Sequence, residues 1–176
     1  DRDITHFTDA WVVSRDGGES EVRSEGLSVV GAVAWSPDGA SLVVIGDDDP
    51  EMWDPRQWKL YVLEPSRPPR ALTDGFVVPT LPATELRWTD DGRILFLGDS
   101  KGESFVCEVP AAGGAVRAVA GGGVKMESAT LDAEATTVVA SVIPQDSAGN
   151  LSSVDLGTGA MTQITDYNTD YFAEHP

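Results

Sequence analysis

Acyl transfer by a side-chain nucleophile needs a serine or cysteine, a histidine to take its proton, and usually an acid to orient that histidine. The 176-residue sequence has two histidines, His6 and His175, one near each end and neither in a recognisable catalytic signature. A hydrolase nucleophile elbow also requires a strand-turn-helix setting, and no stretch shows convincing amphipathic helix periodicity. The one cysteine, Cys107, sits in a strand of alternating pattern, where a small core residue is the expected role. No catalytic residue is therefore assigned within these residues.

The richest polar stretch is residues 47–58, Asp-Asp-Asp-Pro-Glu-Met-Trp-Asp-Pro-Arg-Gln-Trp. One reading makes it a substrate-binding or domain-interface surface: Trp53 and Trp58 supply apolar area, Arg56 a planar fork of donors, and Glu51 a carboxylate suited to an amine. The other has two prolines stiffening a long loop, both tryptophans tucked against neighbouring sheets, and the acids facing water. Asp47, Asp48 and Asp49 suggest calcium, but the glycine and terminal glutamate of an EF-hand loop are missing. Neither a metal nor a cofactor is expected. Asn150-Leu151-Ser152 matches a glycosylation sequon, which matters only in a secreted eukaryotic chain.

The elements that position this loop follow from an internal repeat. Residues 11–26 align without gaps on residues 60–75: strand, tight turn, strand, acidic residue, glycine. The same outline recurs over residues 105–121 and 151–166. Between these copies lies a second hairpin, with Trp35-Ser-Pro-Asp-Gly39 and Trp88-Thr-Asp-Asp-Gly92 at its turns and a decayed version at Asp132-Ala133-Glu134. Pro fixes φ at the first corner, Asp caps locally, and Gly takes the left-handed position. The flanking runs are short and rich in Val, Leu, Ile, Trp and Phe, which reads as strand.

Alternating the two hairpins gives a four-stranded meander of about 40–50 residues, the unit of a β-propeller blade. Trp35 to Trp88 spans 53 residues, and Trp88 to the expected counterpart Thr130 spans 42. The expectation is all-β: a partial propeller of about 3.5 four-stranded antiparallel blades with WD-repeat or Tol-propeller-like turns. Residues 1–27 would be the second half of a blade, 28–75, 76–122 and 123–166 whole blades, and 167–176 a linker. The alternative, a β-sandwich, does not require two turns recurring in alternation. In a blade the first and third turns share one end. The opposite end collects residues 46–58, 75–84, 121–127 and 144–150, expected as long loops and hence as the functional face.

Composition narrows the partners. With 12 basic against 29 acidic residues the net charge is −17, which opposes binding to nucleic acid or to anionic membrane surfaces. The longest aliphatic run, Leu42-Val43-Val44-Ile45, is far short of the roughly 20 residues of a membrane helix. A single cysteine leans towards a reducing, cytoplasmic compartment. Raw sheet faces at the ends of an incomplete ring predict self-association into homo-oligomers.

Trp35-Ser-Pro-Asp-Gly39 with the following Leu-Val-Val, Leu60-Tyr-Val-Leu, and Arg70-Ala-Leu-Thr-Asp74 resemble blades of two groups. One is the propeller of the prolyl oligopeptidase family of serine peptidases, in particular its acylaminoacyl-peptidase and dipeptidyl-aminopeptidase-like branch. The other is the Tol-system periplasmic propeller. The ending from Gly159 to Pro176 is similar to the junction where the last peptidase blade meets its hydrolase domain. That resemblance implies C-terminal blades of a propeller gating a C-terminal α/β-hydrolase domain, with short or N-acylated peptides as substrates and the Ser-Asp-His triad after Pro176. A paired-glutamate motif for gripping a free amine, used by the dipeptidyl-peptidase branch, is absent. The other function class is a non-enzymatic propeller serving as a protein-interaction scaffold.

Overall fold

The computed structural model describes residues 8–49, 58–73, 85–144 and 149–167. Every regular element among them is a β-strand. A two-stranded sheet of β1 (Trp11–Val13) and β2 (Ser20–Val22) comes first. Three four-stranded antiparallel sheets follow, each a meander in chain order. The second sheet holds β3 (Val29–Trp35), β4 (Leu42–Asp47), β5 (Lys59–Leu63) and β6 (Arg70–Ala71). The third holds β7 (Leu86–Trp88), β8 (Arg93–Ser100), β9 (Glu103–Pro110) and β10 (Arg117–Gly121). The fourth holds β11 (Val124–Leu131), β12 (Thr137–Pro144), β13 (Asn150–Asp155) and β14 (Met161–Gln163).

The sheets stack face to face, because their middle strands are apolar on both sides. In β4, Val43 and Ile45 pack with Leu60 and Val62 of β5 against Ile94, Phe96, Cys107 and Val109 of the third sheet. The alternate residues, Leu42, Val44, Tyr61 and Leu63, pack on Ala10 and Val12 of the first sheet. Leu95, Leu97 and Val106 of the third sheet meet Met126, Leu131, Val138, Ala140, Val142 and Val154 of the fourth. Leu42-Val43-Val44-Ile45 is thus buried along its whole length, as a strand between two layers must be.

The inner hairpins share one turn. Gly39 N donates to Ser36 O (2.9 Å) and Gly92 N to Thr89 O (3.0 Å), with both glycines at positive φ. In the decayed copy Ala135 N donates to Asp132 O (3.2 Å), and Ala135 occupies the glycine position at φ 54°. The Asp132 carboxylate holds that turn by accepting from Thr136 N (2.7 Å) and Thr137 N (3.1 Å). The residue before each turn pairs across the hairpin as Trp35 with Leu42, Trp88 with Ile94, and Leu131 with Val138. Leu131, not Thr130, is therefore the counterpart of Trp88, one residue later than the repeat alignment suggested.

A second offset concerns the first sheet. Ser24 Oγ accepts from Ala10 N (3.0 Å), Thr73 Oγ1 from Leu60 N (2.9 Å), and Thr165 Oγ1 from Leu151 N (2.9 Å). This recurring hydroxyl ties the start of the third strand to the end of the fourth, and it equates Ala10, not Trp11, with Leu60. A slip of one residue exchanges faces. Ala10 and Val12 therefore pack on the second sheet, whereas Trp11 and Val13 lie 60% and 58% exposed on the other side.

The connections also differ from expectation. Residues 121–127 do not form a long loop: β10 and β11 are separated only by Gly122 and Gly123. Gly121, Gly122 and Gly123 all have positive φ, and a Cβ on Gly121 would stand 2.6 Å from the Ser104 carbonyl oxygen. In the third sheet, β8 and β9 are joined by Lys101 and Gly102 alone, both left-handed.

Candidate functional site

The polar loop identified from sequence begins where β4 ends. Ser28 N and Oγ donate to the Asp47 carbonyl (2.8 and 2.9 Å), and Ser28 Oγ also lies 2.9 Å from the Asp49 carbonyl. Asp47 is buried, and its Oδ1 accepts from Asp49 N (3.0 Å), so two of the three aspartates are committed to shaping the chain. Asp48 pairs with Lys59 (3.2 Å) at the start of β5. Burial pushes the Asp48 carboxyl up, but hydrogen bonds from Lys59 and Tyr61 and the Lys59 charge outweigh it and hold it below the usual range. Among the described residues, no three His, Cys, Asp or Glu side chains are placed to hold a metal ion.

Glu51, Trp53 and Arg56 lie outside the described residues, as do residues 75–84 and 145–148. Trp58 is described. It is half-buried at the edge of the cluster between the second and third sheets, and its ring lies over Gly31 of β3, where a Cβ would come within 3.2 Å of it. Glycine at position 31 is what lets the indole approach the sheet.

Elsewhere among the described residues, two clefts are formed. One of about 400 Å³ lies between the first and second sheets, where Arg23 faces Glu21 (3.1 Å) and Arg67 faces Glu64 (3.0 Å). The other, about 240 Å³, lies between the inner turns of the third and fourth sheets and is lined by Arg87, Trp88, Asp91, Arg93 and Glu134. Arg93 is engaged by Asp91 (2.8 Å) and by Glu108 (3.1 Å). Glu108 also accepts from Arg117 Nε (2.9 Å). Burial pushes the Glu108 carboxyl up, and the Arg117 and Arg93 hydrogen bonds and charges more than offset this, leaving it below the usual carboxylate range. In the first cleft Arg23 Nε and Nη1 are buried without a hydrogen-bond partner, although Nε stands 3.1 Å from the Glu21 carboxylate.

His6 and His175 lie outside the described residues. Cys107 is buried, and desolvation pushes its thiol up to about 12, far from thiolate formation at neutral pH. Gly98-Asp99-Ser100-Lys101-Gly102 matches the letters Gly-x-Ser-x-Gly, which corrects the expectation that no such pattern occurs in the sequence. It forms the tight turn between β8 and β9, whereas a nucleophile elbow joins a strand to a helix. No helix among the described residues is long and apolar enough to cross a membrane.

No family model matches the chain. No curated protein matches it either. Solved structures do. TolB from Acinetobacter baumannii aligns at 22% identity and TM-score 0.67, over 92% of this chain and 38% of that one. The β-propeller domain of the Trilobed protease from Pyrococcus furiosus aligns at 21% identity and TM-score 0.63, over 95% and 46%. Pyrococcus horikoshii acylaminoacyl peptidase aligns at 18% identity and TM-score 0.63, over 97% and 25%. The chain spans less than half the length of each of these three. With the stacked meanders, these likenesses show the fold: a partial β-propeller, with TolB and peptidases among its structural neighbours.

Proposed function

We propose that the chain is the C-terminal run of blades of a gating, substrate-selecting propeller in a serine peptidase that cleaves short or N-acylated peptides, its catalytic domain lying outside these residues. The observation that carries this reading is the alignment of 95% and 97% of the chain with the propeller domain of a protease and with an acylaminoacyl peptidase. In this reading catalysis belongs to another domain of the same protein, and the whole protein works in the cytoplasm. The residues of the polar loop, Glu51, Trp53, Arg56 and Trp58, are then candidates for contact with that domain or with peptide.

A cleavage assay on the longer protein carrying this segment tests the reading. Short N-acylated peptides are cleaved, and the same peptide sequence within a folded protein is not. Equal cleavage of both overturns gating, and cleavage of neither removes the peptidase. The likeness to TolB favours a second reading, a non-enzymatic interaction scaffold. That reading requires the longer protein to have no reactive serine.

A further inference from the structure

Neighbouring sheets meet at their outer strands in a repeated arrangement, and the first junction departs from it. The hydrogen bond from Arg23 N to Ala10 O recurs as Leu72 N to Leu60 O and as Ile164 N to Leu151 O. Arg23 is therefore the counterpart of Leu72, and Glu21, two residues earlier, that of Arg70. Between the second and third sheets this outer position is filled. Leu72 is buried in a cluster against which Ala111 and Val116 also pack, and Arg70 Nη2 donates to the Ala111 carbonyl (2.9 Å). Between the third and fourth sheets Val119 and Leu156 pack onto the shared core, and a Cβ on Gly159 would lie 3.7 Å from the Val119 carbonyl oxygen. Between the first and second sheets the leucine is replaced by an arginine and the bridging arginine by a glutamate. There the cleft of about 400 Å³ remains, lined also by Glu25, Glu64 and Arg67.

Glu21 pairs across the strands with Val12, and Arg23 with Ala10, so both side chains point towards the second sheet. Only 15% of the Arg23 side chain is exposed, and its Nε and Nη1 have no hydrogen-bond partner. The Glu21 carboxylate, 59% exposed, neutralises part of the charge without an aligned hydrogen bond. A guanidinium is a planar fork of donors that fits a carboxylate in a bidentate pair, and buried donors left unmet destabilise a fold. Leucine at the same place in the second sheet shows that the architecture itself does not require a charge there.

We propose that this cleft binds a small zwitterion, a free amino acid or short unblocked peptide, whose carboxylate displaces Glu21 and pairs with the Arg23 guanidinium while its ammonium pairs with Glu25. The wall charges select this class. Glu21, Glu25 and Glu64 outnumber Arg23 and Arg67, which repels a phosphate dianion and suits a carboxylate that brings its own positive group. Arg67 is already held by Glu64 (3.0 Å), whereas Glu25 is exposed and forms no ion pair with another described residue. The site stands on the junction of the first two sheets and is independent of the peptidase reading.

The test titrates triglycine into the full chain and follows the Arg23 Nε–H resonance and the β2 backbone amides. A saturable shift of both is expected. Triglycine amide, which lacks the carboxylate, should bind about tenfold or more weakly, acetyl-triglycine several-fold more weakly, and inorganic phosphate without a saturable shift. Glu21→Gln removes the competing acid and should tighten triglycine several-fold, and Glu25→Gln should weaken it. Arg23→Leu installs the residue of the second sheet: the chain should remain folded, with the triglycine shift of the β2 amides lost. Arg23→Lys keeps the charge without the fork and should weaken triglycine by about tenfold. No saturable shift with triglycine, phosphate binding as tightly as triglycine, or undiminished triglycine binding in either Arg23 variant overturns the proposal.

Discussion

Replacing Glu108 with glutamine isolates one electrostatic contribution to the third sheet. The carboxylate is nine-tenths buried and holds Arg93 Nη1 at 3.1 Å and Arg117 Nε at 2.9 Å. Hydrogen bonds to a charged group contribute about 1.5–3 kcal/mol when both partners are buried. Arg93 and Arg117 are 39% and 71% exposed and can turn to water, so each pair is discounted towards the surface range, giving a combined loss of about 1–2 kcal/mol. The folded carboxyl titrates below its unfolded value, so this stability is present above the unfolded pKa of about 4.3 and is lost as pH falls through the folded value. Urea unfolding of both proteins between pH 7 and pH 3 should show a gap that is full at neutral pH and closes below about pH 4. A gap that is constant with pH, or absent at pH 7, would refute the assignment.

Three substitution or labelling experiments probe the packing. Gly121→Ala places a Cβ against the Ser104 carbonyl in left-handed backbone and should cost more than about 2 kcal/mol, whereas Gly39→Ala, left-handed but open, should cost about 1 kcal/mol. Equal urea midpoints for the two would contradict the close approach at Gly121. Val12→Asp should destabilise by at least about 2 kcal/mol more than Val13→Asp, because only Val12 packs against the second sheet. The reverse order would restore the gap-free alignment of the repeats. Cys107 should react with a thiol reagent only at the rate of global opening, and fast stoichiometric labelling of folded protein would show that the site is open.

The turns were the legible part of the sequence. Pro37, Asp38, Gly39, Asp91 and Gly92 carry their own geometry, and their alternation with the outer turns defined the meander. Register was not legible. Leu60, Tyr61, Val62 and Leu63 are all buried, so the period of two that would have assigned their faces is erased, and Trp11 was aligned with Leu60 when it takes the exposed side. The turn at Asp132 looked decayed because Ala135 stands where glycine was expected, while threonine hydrogen bonds to Asp132 keep its shape. For the polar loop, composition marked the candidates but not their neighbours. That Gly31 makes room for Trp58 is a contact between β3 and the start of β5, which no local pattern announces.

The most direct test of the account is the intact mass of the natural polypeptide carrying this segment, measured before and after treatment with a serine-directed fluorophosphonate. The account predicts a species well above the 18.7 kDa of these residues that gains a single adduct. A polypeptide of any size that gains none would contradict the peptidase assignment and leave the propeller as a binding scaffold.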